Sequence, residues 1–367
     1  MNNKVYLHKI ATVVPDFYYT QDFALKYQTK LLCDTSKKKL FLDKIYKDTA
    51  IHKRHSVISD FDKHYSEHEF YPQSEDLEPE PSTMKRNDLF ITESNSLSLK
   101  AVKKLLDTCA FGVKDKISHV ITVSCTGFAA PGFDFHLVKE LQLKKSVDRF
   151  NIGFMGCYAA FPAMKLASSI CKADPEARVL VVNVELCSLH YQKKFDTDTI
   201  VANALFADGV AAYLISSNES DSEGSKIIFN TFHSHYTDNS ESDMAWKIGE
   251  HGFDMKLSSY VPKIIDQHIG GVMDDLFNKA NITQKDISIW AVHPGGKAIL
   301  EKFSATMDLK KTDLQHSYDI LWNYGNMSSS TIMFVLNEVL NSSKSGKIFS
   351  AGFGPGLTIE TAIMEKV

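Results

Sequence analysis

The stretch Ala177–Glu185, ARVLVVNVE, is a continuous apolar run, typical of a strand that is buried on both faces of a sheet. Gly346–Phe353, GKIFSAGF, is a similar run near the other end of the chain. A helical pattern precedes each of these runs, at Ala160–Lys172 and at Ser328–Leu340. Strands that alternate with helices predict an α/β architecture.

A second pair of strand patterns repeats this order. Ser118–Ser124 (SHVITVS) ends at Cys125, and Ile287–Val292 (ISIWAV) ends at His293. In both parts of the chain this strand pattern comes first, the helical pattern follows, and the apolar strand comes last. The repetition predicts that the protein consists of two related halves.

The segment Ser217–Lys226 (SNESDSEGSK) is polar, charged and contains glycine, and it is the predicted boundary between the halves. It divides the chain into residues 1–222 and 223–367. The acidic segment 56–86, with Glu-Pro-Glu-Pro toward its end, is predicted to run over the surface.

The composition excludes several classes of protein. Hydrophobic residues make up 44% and charged residues 23% of the 367 residues, as in globular proteins. The net charge of -4 gives no general attraction to nucleic acid. No apolar run approaches the ~18–20 residues of a membrane span. Because the N-terminus MNNKVYLHKI also lacks a signal-peptide pattern, the sequence predicts a cytoplasmic protein.

The cysteines are widely spaced and form no paired CxxC motif, so no metal site is predicted. In a reducing compartment they are expected to be thiols, and most are expected to be buried core residues. They are Cys33, Cys109, Cys125, Cys157, Cys171 and Cys187.

One cysteine has the sequence context of a nucleophile. In Phe150–Met164, FNIGFMGCYAAFPAM, a short β pattern leads through Gly156 to Cys157, and a helical pattern starts just after it. The exposed N–H groups of a helix N-terminus favour a thiolate, which would lower the pKa of Cys157. A buried cysteine in a packed turn is the alternative interpretation.

Two further polar residues have positions that suit catalysis. His293 ends a predicted strand and could pair with a thiolate or donate to a carbonyl oxygen. Asn326, in the stretch NYGNMSSS, could donate to a developing oxyanion. Taken alone, a capping or core histidine and a cap- or turn-forming asparagine are the more common interpretations of these two residues. Papain-like hydrolases have the same Cys–His–Asn order, but their CGSCW-type context is missing.

Six motifs together resemble the type III polyketide synthases, the chalcone synthase family within the thiolase superfamily. Their order and approximate spacing fit that family over nearly the whole chain. The motifs are CTGF…PG at Cys125–Gly132, GCYA at Cys157, ALFADG at Ala204–Gly209, HPGG at His293, YGNMSS at Tyr324–Ser329 and GFGPGLTIET at Gly352–Thr361.

The resemblance implies a thiolase fold, five-layered αβαβα from two duplicated halves, and a homodimer. It implies that Cys157 carries the starter and the growing chain. His293 and Asn326 would bind the thioester carbonyl and stabilise the enolate that forms when malonyl-CoA loses CO2. The implied substrates are malonyl-CoA and an acyl-CoA starter, with cyclisation to an aromatic or pyrone product and with no cofactor.

The resemblance also implies residues of the substrate and CoA sites. Phe206 and Phe253 match two aromatic gatekeepers between the CoA tunnel and the catalytic cavity. Lys44, Lys47 and Ala298 fall where the family binds CoA. The remaining predicted pocket residues are Cys125, Cys187, Met244 and Ser328.

Three of the pocket residues depart from the pattern of plant enzymes. Cys125 and Cys187 stand where plant members usually carry threonine, whereas bacterial relatives often have cysteine there. Met244 lies near a position that is often glycine in plants. These changes argue against a flavonoid role and leave the starter and ring closure open. Two alternatives on the same fold are a ketoacyl-carrier-protein synthase III-like enzyme and a catalytically silent binding protein.

Overall fold

The computed structural model describes residues 4–238, 240–241, 243–258 and 261–367, in which helices alternate with strands. The strands are β1 (Tyr6–Val13), β2 (Phe17–Thr20), β3 (Lys53–Ser56), β4 (His119–Ser124), β5 (Asp148–Gly153), β6 (Arg178–Leu186), β7 (Asp208–Ser216), β8 (Ile227–Tyr236), β9 (Met244–Gly249), β10 (Gly252–Leu257), β11 (Ile289–Val292), β12 (Gly346–Gly354) and β13 (Thr358–Lys366). The helices are α1 (Gln21–Leu32), α2 (Ser36–Asp48), α3 (Thr83–Leu106), α4 (Phe133–Glu140), α5 (Ala160–Ala173), α6 (Thr197–Leu205), α7 (Val261–Ala280), α8 (Lys297–Thr306), α9 (Gln315–Tyr324) and α10 (Ser329–Asn341).

The main sheet repeats one strand pattern twice. Its order is β11-β12-β13-β8-β1-β7-β6-β4-β5. In the first half β1 is antiparallel to β7, β7 is antiparallel to β6, and β6 is parallel to β4. The second half has the same directions: β8 is antiparallel to β13, β13 is antiparallel to β12, and β12 is parallel to β11. The α/β fold with two duplicated halves is therefore confirmed, while the boundary at residue 222 stays a prediction.

The two half-sheets meet along a short contact. Strand β1 pairs with β8 only through Tyr6 with Ile228 and Leu7 with Ile227. The far edge of the first half is β5, which pairs with β4 alone in the described sheet. A separate hairpin of β9 and β10 lies outside this sheet.

Three apolar clusters show where the helices pack on the sheet. The central cluster contains residues of α5 and α10, such as Met164 and Leu336, together with residues of both half-sheets. One outer cluster joins α3, through Phe90, to the first half-sheet. The other joins α7 and α8, through Ile265 and Phe303, to the second half-sheet. Helices and half-sheets thus alternate in the five layers that were expected.

Strand β6 matches the apolar stretch that predicted the fold. All of its residues are buried, because it lies between β4 and β7 and is covered on both faces. Each central β6 residue therefore removes its side chain from water, and a buried aliphatic side chain contributes about 1.5–3 kcal/mol. The strand continues one residue beyond the predicted run, to Leu186.

The acidic segment 56–86 is more firmly attached than its composition suggests. The carboxylate of Asp60 accepts backbone N–H groups of Glu69, Phe70 and Tyr71, at 3.1, 2.8 and 2.8 Å. Tyr71 is buried in the outer core. Helix α3 then begins at Thr83, where the Ser82 side chain caps it by accepting from Lys85 N.

The fold places most of the cysteines inside. All of them are free thiols, and Cys125, Cys157, Cys171 and Cys187 are buried. In the described part of the chain no helix has the length and hydropathy needed to cross a membrane. The same residues include no group of three or more His, Cys, Asp or Glu side chains arranged to hold a metal ion.

Candidate active site

The turn that carries Cys157 lies between β5 and α5. Gly156–Tyr158 forms a short 3-10 helix, and Cys157 is 3% exposed. Gly156 has a φ of +75°, and a Cβ there would lie 2.5 Å from Cδ of Pro355. Only glycine fits this position. The GFGPG stretch, Gly352–Gly356, therefore packs against the nucleophile turn through Pro355.

Asn326 is fixed by its backbone and by its side chain. Its N–H donates to Leu205 O, and its carbonyl accepts from Ala207 N, both at 2.9 Å. Its Oδ1 accepts from Ser328 N at 2.9 Å, while its Nδ2 donates to Gly295 O at 3.1 Å. These contacts assign the orientation of the amide. Both Oδ1 and Nδ2 lie 4.0 Å from Sγ of Cys157.

His293 lies just beyond the end of β11, and Gly295, two residues further on, accepts from the Asn326 side chain. The backbone N–H of His293 donates to Ala351 O at 2.8 Å, and the side chain is 1% exposed. Neither ring nitrogen has a hydrogen-bond partner within the described protein. Burial lowers the pKa of His293 to about 3, so the imidazole is neutral at physiological pH. A neutral ring offers one N–H donor and one acceptor to a substrate.

The electrostatics of Cys157 differ from the sequence expectation. Burial raises the pKa of its thiol to about 12, and the nearby Glu185 raises it further, although hydrogen bonds with Ser328 and Asn326 lower it. Desolvation of the thiolate therefore outweighs the favourable helix N-terminus. The free site holds a neutral thiol and a neutral imidazole, so nucleophilic attack by Cys157 requires transfer of its proton.

A buried carboxylate lies behind the nucleophile. Oε2 of Glu185 accepts from Cys125 N and from the Thr126 hydroxyl, both at 3.1 Å, and lies 3.3 Å from Cys125 Sγ. Its Oε1 accepts from the Ser329 hydroxyl. Burial raises the pKa of Glu185 to about 7. Sequence reasoning missed this residue, although a carboxylate at the end of a fully apolar strand was a usable signal.

The predicted pocket residues Cys125 and Ser328 lie in the same cluster. Their Sγ and Oγ atoms are 3.2 Å apart, and both residues are buried. Ser328 N also donates to the Asn326 side chain. The structure thus brings both residues next to the predicted catalytic set.

The two predicted gatekeepers line one cavity of about 320 Å³, together with Cys187. Phe253 stacks on His190, with ring centroids 4.0 Å apart and an interplanar angle of 13°. His190 contacts the backbone of Thr126 and Phe253 through its two ring nitrogens, at 2.8 and 3.1 Å. Burial lowers the pKa of His190 to about 3. Sequence reasoning missed His190, which no motif distinguishes from other histidines.

Four predicted residues lie elsewhere. Met244 is buried in the outer cluster with α7 and does not line the 320 Å³ cavity. Lys44, Lys47 and Ala298 are exposed, and Lys47 Nζ lies 3.5 Å from Asp43 Oδ2. Their role in binding CoA stays a prediction.

Comparisons with known proteins identify the family of the chain. Residues 2–219 match the family model of chalcone and stilbene synthases, N-terminal domain, and residues 230–367 match the corresponding C-terminal domain. The chain therefore belongs to the chalcone and stilbene synthase family. Its fold and relatives make it a type III polyketide synthase, an acyltransferase of the condensing type. These matches disfavour the ketoacyl-carrier-protein synthase III-like alternative.

Two curated relatives show how far the similarity extends. The alpha-pyrone synthesis polyketide synthase-like Pks18 of Mycobacterium tuberculosis is 31% identical over 293 residues, which are 78% of this chain and 74% of that protein. Probable polyketide synthase 1 of Dictyostelium discoideum is 33% identical over 304 residues, which are 79% of this chain and 10% of that protein. The chain therefore matches only a small part of the second relative.

Solved structures with the same fold come from a slime mould, a brown alga and a bacterium. The C-terminal type III polyketide synthase domain of Steely1 from Dictyostelium superposes with a TM-score of 0.91 at 28% identity, covering 100% of both chains. PKS-I of Ectocarpus siliculosus gives 0.90 at 28% identity, covering 100% of this chain and 99% of that one. The 1,3,6,8-tetrahydroxynaphthalene synthase of Streptomyces coelicolor gives 0.86 at 25% identity, covering 98% and 99%.

Proposed function

We propose that this type III polyketide synthase loads an acyl group from a CoA thioester onto Cys157 and extends it repeatedly with malonyl-CoA. Cyclisation of the extended chain then gives an aromatic or pyrone product. The observation that supports the proposal is the position of Cys157 Sγ, 4.0 Å from the Asn326 amide. The buried ring of His293, whose nitrogens have no partner among the described residues, supplies a further donor and acceptor.

In the loading step, Sγ of Cys157 attacks the thioester carbonyl of the starter. Because the thiol is neutral, its proton moves to His293 as the S–C bond forms. The CoA–S bond then breaks, and CoA leaves as a thiol after taking up that proton. The acyl group is left as a thioester on Cys157.

In the extension step, the carbonyl oxygen of malonyl-CoA accepts hydrogen bonds from His293 and from the Asn326 amide. The bond to the carboxylate breaks, CO2 leaves, and the electron pair becomes an enolate whose charge lies on that oxygen. Fixed donors in a dry site stabilise such charge strongly. The enolate carbon attacks the carbonyl of the Cys157 thioester, the C–Sγ bond breaks, and Cys157 leaves as a thiolate. The longer acyl chain is then carried by the CoA of the malonyl unit. For the next round the thiolate attacks this new thioester carbonyl, the CoA–S bond breaks, and CoA takes up a proton from solvent and leaves as a thiol.

The proposal is tested by separating decarboxylation from condensation. Wild-type protein is incubated with malonyl-CoA and a panel of acyl-CoA starters, and CO2 release and products are followed by mass spectrometry. Cys157→Ala should still release CO2 slowly but make no polyketide. The matched control is Cys171→Ala, because Cys171 is a buried thiol that contacts backbone carbonyls in the central core. Product formation by Cys157→Ala would disprove the assigned nucleophile.

We further propose a homodimer that pairs through the β5 edge. Five of the six residues of this strand are exposed, and no second strand covers it in the described chain. Phe128, Phe135, Phe150 and Phe154 are 53%, 47%, 41% and 38% exposed in this part of the first half. An open edge strand can pair with another chain, and exposed aromatic rings beside it mark a surface suited to protein–protein contact.

The oligomeric state tests this surface. Sedimentation analysis of the wild type should give the mass of two chains, and Phe150→Asp should shift the protein toward the monomer. Phe111→Asp is the control, because Phe111 is fully exposed on a turn after α3. A monomeric wild type, or equal effects of both changes, would contradict the proposed interface.

We also propose a cytoplasmic location and a reaction without a cofactor. The free thiols support a reducing compartment. The proposed chemistry needs only CoA thioesters as substrates, because His293 and Asn326 supply the charge stabilisation. Activity of protein treated with a chelator, and after exhaustive dialysis, tests the second point.

A further inference from the structure

The cavity that begins at Cys187 and the two gatekeepers continues away from them to α1. At its far end it is lined by Tyr19, Phe23, Tyr27 and Phe61. These rings pack against each other, with Tyr19 and Tyr27 in edge contact with Phe61 at centroid distances of 5.3 and 5.5 Å. The far part of the cavity therefore has a rigid, mostly apolar wall.

Three lining residues of this wall carry polar atoms without a partner. Gln28 and Tyr46 are each 2% exposed, and both line the cavity. Neither Nε2 nor Oε1 of Gln28 makes a hydrogen bond within the described protein, and the same holds for the hydroxyls of Tyr46 and Tyr191. A buried polar group without a partner costs about 1–3 kcal/mol. Such groups normally bind a ligand or an ordered water.

Two polar residues next to these atoms, Gln21 and Arg54, do have hydrogen-bond partners. Gln21 donates to Thr49 Oγ1 at 3.0 Å and to Ala204 O at 2.8 Å, and it accepts from Arg54. Arg54 also donates to Phe206 O at 2.7 Å. Arg54 and Gln28 lie near enough to Tyr46 to lower its pKa against the effect of burial, but its hydroxyl has no hydrogen-bond partner of normal geometry among the described residues.

The chemistry of the unpaired atoms indicates the ligand. An amide and two phenols offer both donors and acceptors, and they carry no charge. The guanidinium of Arg54, which lies beside Tyr46, is already held by Gln21, by Phe206 and by the nearby carboxylate of Asp208. A group that binds here is therefore neutral and both donates and accepts hydrogen bonds, as a hydroxyl or an amide does.

We propose that Gln28, Tyr46 and Tyr191 form a distal polar subsite that binds a hydroxyl or amide at the far end of the acyl group carried by Cys157. The inference rests on the proposed function, because it takes the acyl group to extend from Cys157 past Cys187 into this cavity. The aromatic wall surrounds the middle of the acyl chain, and the subsite selects its end. The enzyme would therefore prefer starters that are apolar along their length and polar at the tip.

The test compares hexanoyl-, octanoyl- and decanoyl-CoA with their ω-hydroxy derivatives. Wild-type protein should use one hydroxylated starter with a kcat/KM at least about tenfold above that of the unsubstituted starter. Gln28→Leu and Tyr46→Phe should each reduce this ratio toward one. Tyr236→Phe, which changes an exposed tyrosine on β8, is the matched control and should keep the ratio. Equal use of both starter types by the wild type would overturn the subsite.

A second arm distinguishes the acyl end from the amides of the pantetheine arm. The same starters are supplied as N-acetylcysteamine thioesters, which lack most of that arm. If the subsite binds the acyl end, the preference and its loss in Gln28→Leu persist. If Gln28→Leu weakens all CoA starters equally and has no effect on the short thioesters, the inference is wrong. Wild-type CO2 release from malonyl-CoA is measured in parallel, since its absence would instead refute the proposed function.

Discussion

Arg54 Nη1 donates a hydrogen bond of 2.7 Å to the carbonyl oxygen of Phe206, so a residue of β3 holds the first gatekeeper in place. The Arg54 Nε group donates to Gln21 Oε1 at 3.0 Å. A Cβ at Gly325, next to Asn326, would lie 2.8 Å from Cγ of Arg54. The same side chain therefore packs against the catalytic turn and fixes the wall of the cavity.

Replacing Arg54 should destabilise the protein. Arg54→Met leaves the Gln21 and Phe206 oxygens without their donor, which we expect to cost about 2–4 kcal/mol of unfolding free energy. Urea titration measures the change. Lys116→Met, at an exposed position, should stay within about 0.5 kcal/mol of wild type. A loss below 1 kcal/mol for Arg54→Met would mean that water replaces the guanidinium.

Gly156→Ala should damage both stability and activity. The residue has a positive φ, and its new Cβ would clash with Pro355. Gly112→Ala is a matched control, because Gly112 has a φ of +79° but no atom within 4 Å of an added Cβ. We expect the control to cost about 1 kcal/mol from backbone strain alone. Gly156→Ala should cost about 3 kcal/mol or more of unfolding free energy and abolish condensation. Similar losses of stability in both variants would show that the contact with Pro355 does not matter at this position.

Asn326→Ala should lower malonyl-CoA decarboxylation by about 10²–10³, which is the usual effect of removing one oxyanion donor. CO2 release under saturating malonyl-CoA is the measurement. Asn323→Ala is the control, because Asn323 is an exposed residue of the same segment that bonds only to Asp319 O. It should change the rate less than twofold. A comparably small effect of Asn326→Ala would mean that another donor stabilises the enolate oxygen.

Glu185 should make stability depend on pH. Its pKa is about 7 in the folded protein against 4.5 as the reference value. A raised carboxyl pKa means that the folded state binds the proton more tightly than the unfolded state. The contribution of the protonated carboxyl to folding stability is therefore complete below pH 4.5 and is lost as the pH rises through 7. The difference between these two pKa values corresponds to a change of about 3 kcal/mol in unfolding free energy.

The Glu185→Gln variant tests this dependence. Unfolding free energies measured from pH 5 to 8 should fall with pH more steeply in wild type than in the variant. Glu140→Gln changes an exposed carboxylate and should leave the wild-type slope unchanged. Parallel curves for wild type and Glu185→Gln would show that the buried carboxylate has no raised pKa.

The sequence could predict the fold because the deciding signals are local. Runs such as Ala177–Glu185 need burial on both faces wherever they occur, and their alternation with helices implies the layers. The repeated order of strand, helix and strand likewise exposed the duplication. Cys157 was recognisable because a glycine before it and a helix after it are typical of a turn that presents a nucleophile.

Other features depend on distant contacts that no local pattern records. The raised pKa of Cys157 follows from burial by the whole fold, and so it reversed the expectation from the helix N-terminus. In the sequence, Gln28 is an ordinary polar residue of a helix. Only packing against other parts of the fold, including α2, buries its side chain. Met244 aligned with a pocket position but packs in the outer core. Lys44 is exposed, so its contact with CoA stays a prediction.

The site is assembled across the two halves: Cys157 comes from the first, whereas His293 and Asn326 come from the second. Neither half alone contains the complete set of groups that the proposed mechanism requires. The two halves also share the central apolar cluster, which includes Met164 from the first half and Leu336 from the second. Association of the halves therefore buries this core and completes the catalytic set at the same time.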